Sequence, residues 1–272
     1  MFSLERLREE VRRVDSWRAV GSLVVRSARY GENRLVDKGF LPGQSRYRKF
    51  VVVTRARTGS NLLVSLLNSH PHVDARGELF RRMQGQTVES RLDDVFRRRP
   101  RRVEAVGFKI FYYHPLDDDD SPVWDRLGRM EDLYVLHLKR RNVLRTATSR
   151  KLAGSTAVWL DRGRGGSARP KPAVKFSAAA LEKAFEQNEA WESTCDERFR
   201  DHELMEIFYE DLVRGSEEVL AHTARFLGVG PRAMSTSLRQ QNPEPLAALI
   251  SNFDELRSHF QGSRWAPFFD ER

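Results

Sequence analysis

Strand-like runs alternate with helix-like runs from residue 49 to residue 228, and this alternation constrains the fold more than any other feature of the sequence. Apolar runs predict buried strands at residues 50–54, 103–111, 133–138 and 203–209. Helix-periodic runs lie between and after them, at residues 61–69, 122–130, 141–153 and 178–199, and Ser216 opens a further helix that ends at Gly228. The pattern predicts an α/β fold in which helices flank a mainly parallel central sheet and ligands bind at the carboxyl ends of the strands.

The length of 272 residues, 40% of them hydrophobic, is enough for one large domain with a sizeable core. We assign residues 47–272 to this domain and residues 1–46 to an N-terminal helical extension. Apolar residues recur at helical spacing in the extension, namely Leu4, Leu7, Val11 and Val14. We expect this amphipathic helix to dock on the core; pairing with a second subunit in a homodimer and lying on a membrane surface are the alternatives.

The sequence favours a soluble, cytoplasmic protein. Its single cysteine, Cys195, rules out an internal disulfide and fits a reducing compartment. The longest apolar runs are far too short to span a bilayer, so no transmembrane segment is expected. Charged residues interrupt the N-terminus, which therefore does not resemble a signal peptide.

The formal net charge of +9 raises the question of nucleic-acid binding. The densest basic run, residues 97–102, lies where a helix is expected to end, and cations are favourable there. Aromatic residues do not interleave with it, as a stacking platform for single strands would require. We therefore interpret the run as solvated surface and expect no nucleic-acid partner, although a basic protein suits an acidic ligand.

The first motif, residues 55–61, joins a predicted strand to a predicted helix and reads Arg-Ala-Arg-Thr-Gly-Ser-Asn. A tight turn before a helix N-terminus presents backbone N–H groups and the positive end of the helix dipole to an anion. Thr58, Ser60 and Asn61 add side-chain donors, and Arg57 adds charge. The motif predicts a phosphate-binding turn, with a capped helix that binds nothing as the alternative. It is not a Walker A loop, because the spacing and the lysine of that loop are missing.

The second motif follows the predicted strand 133–138. Six cations and no acid occur between Lys139 and Lys151. On a helix, Arg141, Arg145 and Ser149 would share a sector of about 80°. The motif predicts a second phosphate site beside the first, and a solvated basic helix is the alternative.

Together the two motifs resemble those of the sulfotransferase family. Residues 56–61 match its 5′-phosphosulfate loop, [PA]-[RK]-[ST]-G-[ST]-[TN], and Arg141 with Ser149 eight positions later matches its 3′-phosphate site. The segments 68–73, 77–80, 107–109 and 209–212 resemble the bacterial carbohydrate branch, which includes nodulation-factor and trehalose sulfotransferases. The resemblance covers residues 49–265. Arg145 departs from it, because many relatives have an acid there, and residues 262–265 match the last cofactor loop only loosely.

The resemblance implies a three-layer, P-loop-like fold and an enzyme that uses 3′-phosphoadenosine 5′-phosphosulfate (PAPS), with 3′,5′-bisphosphoadenosine (PAP) as product. It implies in-line transfer of a sulfuryl group to a hydroxyl of a carbohydrate or glycolipid-like small molecule. The predicted cofactor-binding residues are Arg57, Thr58, Gly59, Ser60, Asn61, Arg141, Ser149 and Tyr209, the last packing against adenine. Lys109 is predicted to stabilise charge on the sulfate or the leaving oxygen. No metal is expected, since His70 and His72 flank a proline without a third ligand.

The acceptor hydroxyl needs a general base. We expect Glu78 in this role, because carbohydrate-type relatives have an acidic base in the corresponding segment. The alternative is His114, because phenol and steroid sulfotransferases use a histidine just after a strand-end lysine. Trp159, in the Gly- and Pro-rich stretch 154–172, is predicted to stack on an acceptor sugar or else to anchor a loop.

Two other classes of function remain open at this point. A P-loop-like nucleotide kinase is disfavoured by the missing Walker lysine and by the lack of a magnesium-binding acid after a strand. A catalytically inactive nucleotide- or anion-binding protein would keep the same two phosphate motifs.

Overall fold

The structure, a computed structural model, describes residues 31–156, 173–215, 217–238 and 242–270. The helix predicted in the N-terminal extension, Ser216 and most of the stretch 154–172 lie outside the described residues. Residues 31–37 are helical. None of the helices in the described part of the chain is long and apolar enough to cross a membrane. The domain boundary at residue 46 stays a prediction.

The centre of the fold is a five-stranded sheet in which every neighbouring pair of strands is parallel. A separate antiparallel pair joins β1 (Gly43–Gln44) to β4 (Arg99–Pro100). The strands of the large sheet are β2 (Arg48–Thr54), β3 (Val73–Glu78), β5 (Ala105–Phe111), β6 (Leu133–Lys139) and β7 (Leu204–Phe208). Their order across the sheet is β3-β5-β2-β6-β7, so that the first motif leaves the central strand. The predicted parallel α/β fold is confirmed.

Helices connect the strands and cover both faces of the sheet. They are α1 (Ser60–Ser69), α2 (Val88–Val95), α3 (Val123–Gly128), α4 (Val143–Thr156), α5 (Ala178–Arg198), α6 (Tyr209–Val213), α7 (Glu217–Phe226), α8 (Leu246–Leu249), α9 (Phe253–Phe260) and a 3₁₀ helix at Ala266–Phe269. The predicted strands and helices are present, with ends that differ by up to three residues. The elements that were not predicted are β1, β3, β4, α2, α6, α8, α9 and the 3₁₀ helix.

Two apolar layers hold the sheet between its helices. On one face, strand residues such as Val51 and Phe108 pack against α2, α3 and the end of α5. On the other face, Phe50 and Val52 pack against α1, α6 and α7. Burying a side chain of this size contributes roughly 1.5–3 kcal/mol, so both faces of the sheet favour the three-layer arrangement. A third cluster joins α4 and α5 to α8, α9 and the 3₁₀ helix.

The basic run 97–102 is the solvated surface that the sequence predicts only in part, since Arg98 and Arg101 are exposed whereas Arg99 is buried. Arg99 has 0% relative exposure; its Nε donates to Oδ2 of Asp74 at 3.0 Å and its Nη2 to the carbonyl of Val95 at 2.6 Å. Arg98 donates to the carbonyl of Gly43 at 2.7 Å, and Arg102 to that of Pro71 at 2.6 Å. The guanidinium has five donors, and here they satisfy backbone carbonyls at the end of α2 and around the β1–β4 pair. Part of the basic charge is therefore structural.

Candidate active site

The turn between β2 and α1, residues 55–59, closes over the carboxyl end of the central strand. Gly59 lies in the left-handed region at φ 85° and is the N-cap of α1. A Cβ at this position would come within 2.8 Å of Cε2 of Tyr209 and closer still to Cδ2. Arg57 also has a positive φ, 74°, which for a residue other than glycine costs on the order of 1–3 kcal/mol. Neighbouring groups must therefore impose the shape of the turn.

Hydrogen bonds from the strand ends supply this constraint. Thr58 Oγ1 donates to the carbonyl of Arg55 at 2.6 Å, and Thr54 Oγ1 donates to the carbonyl of Leu138 in β6 at 2.6 Å. Arg140, just after β6, donates from Nη1 to the carbonyl of Arg57 at 3.0 Å. Because the hydroxyl of Thr58 closes the turn, its predicted role in cofactor binding would rest on its backbone N–H.

Tyr209 braces the same turn from the side of α6. Its ring lies against Gly59, and the guanidinium of Arg140 sits 4.4 Å from the ring centroid. Only 9% of Tyr209 is exposed. These contacts give the ring a structural role in fixing the loop, and its predicted packing against adenine stays a prediction.

A second brace, which the sequence analysis missed, comes from α5. Arg55 is buried at the start of the turn and donates from Nη1 to Oδ1 of Asn188 at 2.9 Å. Its guanidinium also lies 5.4 Å from the ring centroid of Trp191. Arg55 stands directly before the loop pattern, but nothing in the sequence indicates that its partners lie more than 130 residues away.

Lys109 and Glu78 meet below the N-terminus of α1. Lys109, which is 3% exposed, donates from Nζ to Oδ1 of Asn61 at 2.6 Å and to Oγ of Ser60 at 3.3 Å. The same ammonium lies 3.3 Å from Oε1 of Glu78. Burial lowers the pKa of Lys109, and the neighbouring carboxylate opposes that shift.

A β-bulge brings Glu78 to this position. Within β3, Val73 and Ala75 face α1, while Asp74 and Arg76 face the opposite side of the sheet. Strict alternation of side chains along the strand would place Glu78 on the same face of the sheet as Asp74 and Arg76. Instead, the register shifts after Arg76, so that Glu78 is paired with Lys109 and shares its face. Bulges are common beside active sites, where they redirect a side chain.

His114, the alternative base, lies in the same cluster. Its Nε2 is 3.9 Å from Oε2 of Glu78, and 3% of the residue is exposed. Burial lowers its pKa to about 4, against the partial opposing effect of Glu78. The two residues that the sequence offers as competing bases are therefore neighbours.

The second motif forms a narrow cavity next to the turn. The Nε of Arg57 donates to Oγ of Ser149 at 2.9 Å, and the Nδ2 of Asn242 donates to the same oxygen at 3.1 Å. The cavity is lined by Arg140, Arg145, Thr148, Ser149, Asn242, Leu246 and Leu249. Arg57 and Ser149, which the sequence assigns to the two phosphate sites, are thus brought together. Arg140 and Asn242 were missed, although Arg140 is the neighbour of a predicted residue.

Arg141 does not share the face of Arg145 and Ser149, contrary to the expectation from helical spacing. The helix begins only at Val143, two residues later. The guanidinium of Arg141 makes a two-pronged contact with Asp211, at 2.7 and 2.9 Å, and its side chain is 49% exposed. The acids at the start of α6 therefore compete for this arginine, and its assignment to the 3′-phosphate stays a prediction.

In the described part of the chain, His137, Asp196 and Glu206 form the one group of side chains whose ligand atoms converge as metal ligands would. The ammonium of Lys139 lies 3.0 Å from Oδ2 of Asp196 and also contacts Glu206. A cation of the protein therefore already neutralises these carboxylates. Trp159 lies outside the described residues, so its predicted contact with the acceptor is not tested.

Comparison with known proteins gives the family. The model of the Stf0 sulphotransferase family matches residues 111–245. Nodulation protein H of Rhizobium tropici is 30% identical over 244 residues, which cover 81% of this chain and 92% of that protein. Nodulation protein H of Rhizobium meliloti (strain 1021) is 28% identical over 236 residues, covering 81% and 94%. A sulfotransferase from Alicyclobacillus acidocaldarius is a structural neighbour with a TM-score of 0.43 and 19% identity, covering 82% of this chain and 92% of that one.

The fold and the site define an α/β enzyme with a tight turn before a helix N-terminus at the carboxyl edge of a parallel sheet. The chain belongs to the Stf0 sulphotransferase family, whose model it matches, and it is similar to nodulation protein H over 81% of its length. It is a sulfotransferase, as its motifs predict.

Proposed function

We propose that the enzyme transfers the sulfuryl group of PAPS to a hydroxyl of a carbohydrate or glycolipid-like small molecule. The observation that carries the proposal is the meeting of Glu78, Lys109 and the first turn of α1 at one point of the sheet edge. Distances of 2.6–3.3 Å join the ammonium of Lys109 to Asn61, Ser60 and Glu78. A carboxylate beside a buried cation and a helix N-terminus suits proton removal next to a developing negative charge.

The residues present fit a nucleotide that has anionic groups at both ends. The turn 55–59 and the N-terminus of α1 would hold the 5′-phosphosulfate, with Arg57 and Lys109 supplying charge. Arg140, Arg145 and Ser149 line the adjoining cavity, where they would hold the 3′-phosphate. The Nε of Arg140 is buried and makes no hydrogen bond among the residues that the structure describes; its ion-pair partner, Oε1 of Glu210, lies 4.0 Å away. A buried donor without a hydrogen bond leaves room for an anionic ligand.

Each residue then has a defined task. PAPS supplies the sulfuryl group: a bond from the acceptor oxygen to sulfur forms, the bond from sulfur to the 5′-phosphate oxygen breaks, and PAP is left. Glu78 accepts the proton of the acceptor hydroxyl. Lys109 stabilises the negative charge that develops on the sulfuryl or leaving oxygen, and the braced turn keeps Arg57 in place.

The nature of the acceptor and the compartment are supported by the sequence. The segments 68–73 and 77–80 resemble the carbohydrate branch of the family, and Glu78 lies within the second. The one cysteine, Cys195, is buried, and burial raises its pKa, so it suits a cytoplasmic enzyme that does not depend on thiol chemistry.

Binding of PAP tests the nucleotide assignment. Calorimetry in excess EDTA should give a Kd in the micromolar range or below, with ATP plus magnesium as the comparison. Binding that appears only with magnesium, or a preference for ATP, would contradict the assignment and favour a nucleotide kinase.

The variant Glu78→Gln tests the reaction. It keeps the shape of the side chain but cannot accept a proton, so turnover should fall by roughly 10²–10⁴-fold while PAP affinity stays within a few-fold. Glu104→Gln is the matched control, because Glu104 pairs with His72 at 2.8 Å and is not part of the cluster. Sulfate transfer from labelled PAPS to a panel of sugars, glycolipids and phenols is the readout. An active Glu78→Gln enzyme would remove Glu78 from the role of base.

A further inference from the structure

The ring nitrogens of His114 have different partners. The backbone N–H of Phe111 donates to Nδ1 at 3.3 Å. An amide N–H can only donate, so Nδ1 must carry a lone pair and no proton. The backbone that carries this ring is also held in place, since Nε1 of Trp124 donates to the carbonyl of His114 at 2.9 Å.

This hydrogen bond assigns the tautomer. A neutral imidazole has one proton, which must then be on Nε2. The ring is neutral at pH 7 because burial lowers the pKa of His114 to about 4. Neither nitrogen can then act as a base, because Nδ1 is occupied by the amide N–H and Nε2 is already protonated. The edge that faces Glu78 is a hydrogen-bond donor.

Several titratable side chains face Glu78 from the elements around it. Lys109 in β5 lies 3.3 Å from Oε1, while Arg81 lies 3.7 Å and His114 3.9 Å from Oε2. Tyr113 also lies close enough to interact electrostatically with Glu78. The side chain of Arg81 is 65% exposed and therefore a weak constraint. His114 is the buried group on the Oε2 side.

We infer that His114 is a positioning residue for Glu78 and not the general base: its Nε2–H, directed at Oε2, fixes the carboxylate while Lys109 fixes Oε1. The inference rests on the proposed role of Glu78. The Nε2–Oε2 separation of 3.9 Å is longer than a hydrogen bond, and catalytic hydrogen bonds are often long before substrate binds and tighten only in its complex. A carboxylate held at both oxygens presents a lone pair to the acceptor hydroxyl in a constant direction.

Two substitutions of His114 separate a donor from a base. His114→Gln keeps an N–H donor at about the position of Nε2, whereas His114→Leu fills the space without a donor. We expect His114→Leu to lower kcat by roughly 10–100-fold with PAP affinity within about threefold, and His114→Gln to recover most of the loss. His222→Leu, an exposed histidine of α7, is the matched control and should behave like the parent.

A double variant and separate values of kcat and KM give readouts that a purely structural role would not move. His114→Leu should lower kcat and leave the KM for PAPS within about threefold, and His114→Gln should restore kcat. In the Glu78→Gln background, His114→Leu should have little further effect on kcat, because the group it positions has gone. Two results would overturn the inference. One is a double variant in which the two losses of kcat multiply, and the other is a His114→Gln enzyme that folds but is as inactive as His114→Leu.

The tautomer can be observed directly. Long-range proton–nitrogen correlation spectra of the ¹⁵N-histidine-labelled protein, assigned with His114→Gln, should show a protonated Nε2 and an unprotonated Nδ1 between pH 8 and pH 5.5. A proton on Nδ1 would refute the inference whatever the reaction is. Failure of the parent enzyme to use PAPS at all would instead refute the proposed function, and the spectrum distinguishes the two failures.

Discussion

The substitution Gly59→Ala tests whether Tyr209 and the left-handed turn together hold the anion-binding loop. Gly59 has a φ of 85°, and an added Cβ would lie within 2.8 Å of Cε2 of Tyr209 and closer to Cδ2. The alanine therefore meets two separate penalties. One is the cost of the left-handed backbone, and the other is steric overlap with a buried ring.

The magnitude follows from these two terms. The left-handed conformation costs a residue other than glycine roughly 1–2 kcal/mol. Forcing extra volume into a packed site typically costs about 1–3 kcal/mol more. We expect Gly59→Ala to lower the free energy of unfolding by about 2–5 kcal/mol, equivalent to a Tm lower by roughly 4–20 °C for a domain of this size. Because the loop or the ring must move, PAP affinity should fall at least tenfold as well.

The chain contains a matched control. Gly85 has a φ of 75°, and a Cβ there would meet nothing within 4 Å. Gly85→Ala should therefore show only the backbone penalty, about 1–2 kcal/mol, with unchanged PAP binding. Urea unfolding and calorimetry of both variants measure the difference. In a Tyr209→Ala background the excess cost at Gly59 should disappear.

Two results would refute the reasoning. If Gly59→Ala and Gly85→Ala lost the same stability, the contact with Tyr209 would not constrain the turn. If Gly59→Ala were destabilised but bound PAP as tightly as the parent, the turn would not be the anion site.

Three further predictions follow from burial and charge. Arg99→Met should lower the free energy of unfolding by about 3–5 kcal/mol, because it leaves the carboxylate of Asp74 without its buried partner; a loss below 1 kcal/mol in urea unfolding would contradict this. Arg141→Ala should lower the free energy of unfolding by less than about 1 kcal/mol, because the ion pair of Arg141 with Asp211 is half exposed. A large loss of PAP affinity at unchanged stability would support the predicted contact of Arg141 with the 3′-phosphate. Burial lowers the pKa of His114 and that of His137 from 6.5 to about 4. The unfolded chain then binds protons that the folded chain does not, so the free energy of unfolding should fall by roughly 3 kcal/mol for each histidine as the pH is lowered from 6.5 to 4; a Tm that is constant over that range would contradict this.

The sheet was predictable where its strands are mostly apolar, which is true of three central strands and of the edge strand β7. β2, β5 and β6 are central strands, so their sequences are continuous apolar runs that stand out from their surroundings. β3 is an edge strand, and its sequence, Val-Asp-Ala-Arg-Gly-Glu, alternates apolar with charged residues and includes a glycine. Such a segment has the composition of a turn, and only its pairing with β5 makes it a strand.

The parts of the candidate site that are formed by residues adjacent in the sequence were predictable. The turn 55–59 and the start of α1 follow from adjacent residues, because a strand, a glycine and a helix N-terminus define the backbone over a short span. The partners of Arg141 were not predictable in this way, since Glu210 and Asp211 lie about 70 residues later and compete for it only in the folded chain. Spacing along a helix gives a shared face only for residues that lie inside the helix.

Glu78 shows why a candidate base could be named from the sequence without its geometry. Regular alternation along β3 puts Glu78 on the side of Asp74 and Arg76, away from Lys109. The bulge after Arg76 adds one residue to β3 relative to β5, and this reverses the face of Glu78. The carboxylate then lies on the α1 side, beside Lys109 and 3.9 Å from the Nε2 of His114. The two candidate bases proposed from sequence are therefore parts of one arrangement, in which a register shift supplies the carboxylate and the histidine fixes its direction.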